Sequence, residues 1–354
     1  MNESFWKNKT VFITGNTGFK GSWITLLLQS LGSKIIGYSL KPPTNPSLFE
    51  LALAYKDITM IQGDIRDKNL LKKTLDKYRP QIIIHMAAQA LVRDSYIYPV
   101  ETYETNVMGT VYLLDAIRKI PGVQLAIFIT SDKCYENLEL TRPYNEGDRM
   151  GGFDPYSSSK GCDELIISAY RRSFFNDHKV ALASVRAGNV VGGGDWAKDR
   201  LVVDAMMAFM NKQNLRIRSP DSVRPWQHVL DPLSGYLMLA ENLWHNGHLY
   251  AKAWNFGPNS EDSRTVSWVA DMLCQYWANG AEWMPDNNKK NPHEAGLLFL
   301  DSSKARIELG WQPKLNIIKS LSWTVDWYKA YHKDKNMRSF TLRQIEEYQS
   351  LHIN

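Results

Sequence analysis

The chain has 354 residues, an apolar fraction of 44% and a formal charge of +5. It is long enough to bury one large core or two intimate ones, and its composition does not fit disorder. No Lys/Arg block stands out and no uninterrupted apolar stretch reaches bilayer length, so neither nucleic acid nor a membrane is an expected partner. Three scattered cysteines, Cys134, Cys162 and Cys274, exclude a disulfide framework or a zinc site. With no signal-like apolar core at the start, they point to reduced thiols in a cytoplasmic protein with no bound metal.

Strand-like apolar runs alternate with helical patterns from the first residues onward. The strands are expected at 11–14, 34–38, 58–62, 82–86, 125–130 and 180–185. Helices are expected at 19–31, 70–78, 100–119 and 155–175. That alternation predicts an α/β fold with a doubly wound parallel sheet covered on both faces. After about residue 186, glycine and proline become frequent, as in Gly192-Gly193-Gly194 and Arg224-Pro225. A helix returns at 232–243, and the last hundred residues mix helices with short strands.

Between the first strand and the first helix lies Gly15-Asn16-Thr17-Gly18-Phe19-Lys20-Gly21. Gly15 suits a tight turn, Gly18 a close backbone approach to a pyrophosphate, and Gly21 close packing of helix on sheet. The helix N-terminus then offers free N–H groups to the phosphates, as in Rossmann-type dinucleotide sites. An acid normally holds the adenosine ribose at the end of the second strand, but here the chain reads Tyr38-Ser39-Leu40-Lys41. Ser39 is a weak substitute, and Lys41 would suit a 2′-phosphate, so the residues alone leave NAD and NADP both open.

Two further segments carry proton-handling groups. Thr130-Ser131-Asp132-Lys133-Cys134-Tyr135 ends a strand-like run. Tyr156 and Lys160 lie four apart at the start of a helical pattern and so share one face. To act as a base near neutrality, a tyrosine must titrate about three pH units below its usual value of about 10, roughly 4 kcal/mol. A nearby lysine and an oxidised nicotinamide both favour the phenolate. Ser131 would hydrogen-bond the substrate hydroxyl beside Tyr156. Asp132 and Lys133 match the acid and base that an elimination needs. Lysine ordinarily titrates near 10.4, so a base role for Lys133 requires burial or nearby positive charge, and stabilising an enolate is the alternative.

The G-x-x-G-x-x-G loop with Ser131, Tyr156 and Lys160 resembles the extended short-chain dehydrogenase/reductase family. Asp64-Ile65, Ala87-Ala88-Gln89 and Asn106 match that family's cofactor-flanking positions. Within it, Ser131-Asp132-Lys133-Cys134-Tyr135-Glu136-Asn137, residues 186–196 and Arg224-Pro225-Trp226-Gln227-His228 resemble the nucleotide-sugar 4,6-dehydratases, in particular the CDP-glucose branch. Relatives acting on dTDP- and GDP-sugars carry Asp-Glu where this chain has Asp132-Lys133.

The resemblance implies NAD as cofactor and a nucleotide sugar as substrate. It also implies contacts from Asn189, Arg200, Arg224, Trp226 and His293, and a role in supplying dideoxyhexoses for a bacterial O-antigen. It further implies a homodimer or homotetramer built through helices 100–119 and 155–175. A dinucleotide-binding domain is expected over 1–187 plus about 227–250, and a smaller mixed substrate domain over about 188–226 plus 251–354. Asp132-Lys133 argues against a C4 epimerase or reductase, which needs no leaving-group acid. The Ser131, Tyr156 and Lys160 set argues against a dinucleotide-sensing protein without turnover.

Overall fold

The structure is a computed structural model, and residues 1–175, 180–286 and 296–352 are described. Among them, seven strands form one parallel sheet: β1 (Thr10–Thr14), β2 (Lys34–Ser39), β3 (Thr59–Gln62), β4 (Ile82–His85), β5 (Leu125–Ile129), β6 (Ala181–Arg186) and β7 (Ala253–Asn255). Runs such as Ile82-Ile83-Ile84 are buried on both faces, as strands of a covered parallel sheet must be. The order is β3-β2-β1-β4-β5-β6-β7. The winding reverses between β1 and β4, and ligands of such sheets bind at the carboxyl ends of the strands beside that point.

One apolar core lies under α1 (Phe19–Ser30), α3 (Leu230–Asn246) and the C-terminal helices. A second packs the opposite face against α2 (Pro155–Phe174), Lys68–Tyr78 and Gly109–Ile117. Among the described residues no helix is long and apolar enough to cross a membrane.

The expected strands and main helices are present, with ends displaced by up to three residues. Three features differ. The expected helix at 100–119 is interrupted by one wider turn, Glu104–Met108, between Pro99–Tyr103 and Gly109–Ile117. Such turns recur at functional sites, and this one carries Asn106. The short helix Val92–Ile97 and the three-residue strand β7 are too brief to leave a periodic signal. Beyond β6, short strand pairs such as Val190–Val191 with Gln227–His228, and Val223–Pro225 with Ser263–Thr265, hold the loops over the sheet's carboxyl edge.

Candidate active site

The loop after β1 turns at Gly15, whose φ is 73°. A Cβ there would lie 2.7 Å from the Ala87 backbone nitrogen, so this turn presses directly on the chain leaving β4. A Cβ at Gly21 would fall 2.1 Å from the Gly15 oxygen, which closes the loop onto the first turn of α1. Gly18 is the N-cap of α1, and no side chain caps the helix. Its first N–H groups are therefore suited to an anion. Thr17 and Ser39 join their hydroxyls at 2.6 Å.

The Asp64 carboxylate is held by Arg66 at 2.7 Å and lowered below the usual range by that bond. Ile65 is buried beneath Gly109, and Ala87 and Ala88 are half-buried after β4. The Asn16 side chain is buried against Gly37 and Met60, with Oδ1 lacking a partner. Asn106 exchanges hydrogen bonds with the Gln89 backbone at 2.8 and 3.0 Å and donates to Ser159 Oγ at 2.8 Å. It thereby ties the loop after β4 to α2. The glycine turn and uncapped helix fit a dinucleotide pyrophosphate. With no acid after β2, Ser39 is the group nearest in sequence to serve the ribose.

β5 delivers Thr130 and Ser131 to the carboxyl edge, where the chain enters one tight turn, Asp132–Cys134. Ser131 Oγ accepts from the Lys133 N–H at 3.2 Å and donates to Asp132 Oδ1 at 3.0 Å. α2 begins alongside. Asp154 caps it by accepting from the Ser157 N–H at 2.9 Å and the Ser157 hydroxyl at 2.6 Å, with Pro155 at the first helical position. Gly152 precedes the cap at φ 144°, where a Cβ would lie 2.3 Å from the Ser158 nitrogen. Tyr156 and Lys160 follow on one face, both buried.

Lys160 Nζ donates to Asp163 at 3.0 Å. Burial pushes the Lys160 ammonium down, but Asp163 and Tyr156 restore it above its ordinary value, so it stays charged. Burial raises the Tyr156 phenol above its ordinary value, against the pull of the Lys160 charge and a Ser131 hydrogen bond.

Asp132 is 3% exposed, and its Oδ2 is buried without a hydrogen-bond partner. A Cβ at Gly188 would lie 2.7 Å from that oxygen, so only a glycine lets this backbone pack against it. Burial raises the carboxyl above the usual range, against the pull of Lys133, Ser131, Lys20 and Arg224. Burial thus makes the Asp132 carboxyl a weaker acid than an exposed one. Lys20 reaches this same end from the glycine loop. Burial and then the Arg200 charge draw its ammonium down to about 8.

These groups face a cleft of about 590 Å³, a size suited to a small-molecule ligand. Ser131, Asp132, Lys133 and Tyr156 line it together with Phe19 and Lys20. Asn189, Arg200, Arg224 and Trp226 line it as well. Arg200 pairs with Asp195 at 2.5 Å. Arg224 donates to the Val223 and Gly296 carbonyls at 2.9 and 3.1 Å. Trp226 belongs mainly to the core and donates from Nε1 to the Arg264 carbonyl at 3.0 Å. Lys160 and Asn106 support the site without forming its wall. His293 lies outside the described residues.

Sequence reasoning missed a cluster on the cleft wall in which Asp199 pairs with Arg218 at 3.1 Å and Arg93 at 3.4 Å. It also missed Glu164, although its spacing of four from Lys160 put it on the inward face of α2.

The profile of the GDP-mannose 4,6 dehydratase family matches residues 12–322. A CDP-glucose 4,6-dehydratase of Salmonella typhimurium is 48% identical over 99% of both chains. A dTDP-glucose 4,6-dehydratase of Haemophilus influenzae is 25% identical over 90% of this chain and 97% of its own. Among solved structures, a dTDP-glucose 4,6-dehydratase of Streptomyces venezuelae with NAD bound superposes with a TM-score of 0.79 at 22% identity. It covers 92% of this chain and 98% of its own. The chain belongs to the GDP-mannose 4,6 dehydratase family.

Proposed function

We propose that the protein is a nucleotide-sugar 4,6-dehydratase that converts CDP-glucose to CDP-4-keto-6-deoxyglucose and water, with NAD as its cofactor. The observation that carries the reading is Asp132, a buried carboxyl raised above the usual range that lines the same cleft as Ser131 and Tyr156. The Asp-Lys pair and the end-to-end likeness to the Salmonella enzyme favour CDP-glucose.

Bound NAD supplies a nicotinamide that accepts the C4 hydride and returns it to C6. Tyr156 takes the proton of the C4 hydroxyl, with Ser131 holding that hydroxyl and Lys160 favouring the phenolate by its charge. The resulting C4 ketone acidifies the C5 proton. Lys133 removes that proton, and Asp132 protonates the C6 hydroxyl as the C6–O bond breaks and water leaves. The Lys133 ammonium then returns a proton to C5, and the proton held by Tyr156 exchanges through solvent to restore Asp132. The glycine loop and α1 hold the dinucleotide pyrophosphate. Arg200 and Arg224 hold the sugar nucleotide's diphosphate, because guanidinium forks match phosphate oxygens.

The helices at 99–117 and α2 expose Val100, Tyr103, Met108 and Leu165. This apolar surface supports pairing with a second copy, as a homodimer or homotetramer. Three free thiols suit a reducing cytoplasm.

The test is a panel of CDP-, dTDP-, GDP- and UDP-glucose given to purified protein whose mass in solution has been measured. CDP-glucose should give the 4-keto-6-deoxy sugar without net reduced nicotinamide, from a particle of two or four chains. Recovery of a C4 epimer alone overturns the dehydratase reading, preference for another nucleotide overturns the substrate, and a single-chain mass overturns the assembly.

A further inference from the structure

We infer that Glu164 and Arg186 form a positioning pair that locks the turn carrying Ser131, Asp132 and Lys133 against the helix carrying Tyr156 and Lys160, and that the elimination step depends on this lock. The inference rests on the function proposed above. Neither residue lines the cleft, so neither is a catalytic residue.

Glu164 stands one helical turn beyond Lys160 on α2. Its Oε1 accepts from the Thr130 hydroxyl at 2.5 Å. Its Oε2 accepts from Arg186 Nη2 at 2.7 Å and from the Ser184 hydroxyl at 2.8 Å. Arg186, at the end of β6, donates from Nη1 to the Tyr135 hydroxyl at 2.6 Å, and its guanidinium lies over the Tyr135 ring at 5.0 Å. The Tyr135 hydroxyl in turn donates to Asn255 Oδ1 on β7 at 2.8 Å.

Thr130 immediately precedes Ser131, and Tyr135 immediately follows the turn. Both ends of the elimination segment are therefore tied to one ion pair, and that pair is anchored on the helix that bears the hydride-transfer tyrosine. The contact is close. A Cβ on Gly161 of α2 would lie 2.7 Å from the Gly151 oxygen and 3.3 Å from the Cys134 oxygen.

Both side chains of the pair are 4% exposed. Buried ion pairs carry a large desolvation cost and are weak devices for stability alone. Burial pushes Glu164 up, but Arg186, Thr130 and Ser184 together hold it below the usual carboxylate range, so the pair stays ionised. A fixed fork with one carboxylate and one phenol as partners suits a geometric role, because small displacements of reacting groups cost large factors in rate.

The experiment is single turnover of CDP-glucose by Tyr135→Phe, Thr130→Val and Thr130→Ser. Reduced nicotinamide reports oxidation, and the 4-keto-6-deoxy sugar reports elimination. Tyr135→Phe removes the acceptor for Arg186, and Thr130→Val removes one donor to Glu164 at nearly constant shape. Each should slow elimination about 10- to 100-fold relative to oxidation, with reduced nicotinamide persisting. Thr130→Ser, which keeps the hydroxyl, should restore the wild-type ratio. Equal slowing of both steps, or an unchanged ratio, overturns the positioning role. Wild type runs alongside; if it forms no product, the functional reading itself falls.

Discussion

The two segments that meet at the cleft are built on opposite terms. On α2, two acids stand in ion pairs: Asp163 with Lys160 at 3.0 Å, and Glu164 with Arg186 at 2.7 Å. On the turn after β5, Asp132 is equally buried but stands in no ion pair among the described residues, and burial pushes its carboxyl above the usual range. A matched charge is fixed in its state and serves as a frame or a constant field. An acid outside any ion pair binds a proton more readily than one held by a cation. On the proposed function, the helix supports the phenolate electrostatically and the turn delivers a proton.

The contrast is broken most severely by removing a partner on the matched side. Asp163→Asn strands the Lys160 ammonium in the interior and should cost about 3–5 kcal/mol in unfolding free energy, read by urea or thermal melts. A loss below about 1 kcal/mol would mean that the pair is not charged, and the helix would then be no better matched than the turn.

A smaller effect appears with pH. In the mechanism we propose, elimination requires the acid form of Asp132, whose titration lies above the usual carboxylate range. The contribution of Asp132 to that rate should therefore fall as pH rises through the titration, by up to about tenfold per pH unit, and Asp132→Asn should show no such fall. Oxidation requires the Tyr156 phenolate and should change in the opposite direction. Single-turnover rates for the two steps, measured across pH, should cross. Parallel profiles would leave the two segments without separate roles.

Much of this was legible in the residues. The alternation of apolar runs with 3.6-residue periodicity carries through β6, because long buried elements leave strong patterns. The glycine loop was readable because its spacing encodes the turn and the helix entry together. Ser131, Asp132, Lys133 and Tyr156 line one cleft as their positions after β5 and at the start of α2 imply.

What escaped was long-range or local in a way that periodicity cannot carry. β7 has three residues, and its Asn255 matters through a bond to Tyr135, 120 positions away. Arg186 pairs with Glu164 across two elements, and no spacing rule joins them. The turn around Asn106 interrupts a helix whose apolar pattern continues through it. The raised titration of Asp132 depends on burial, which only the folded chain supplies.

The most direct test of the division between the segments is single turnover of CDP-glucose by Asp132→Asn beside Tyr156→Phe. Asp132→Asn should oxidise C4 and hold reduced nicotinamide, while formation of the 6-deoxy product falls by about 10²- to 10⁴-fold. Tyr156→Phe should reduce no nicotinamide on the same timescale. Wild-type rates of 6-deoxy product from Asp132→Asn, or loss of C4 oxidation in that variant, would contradict the account.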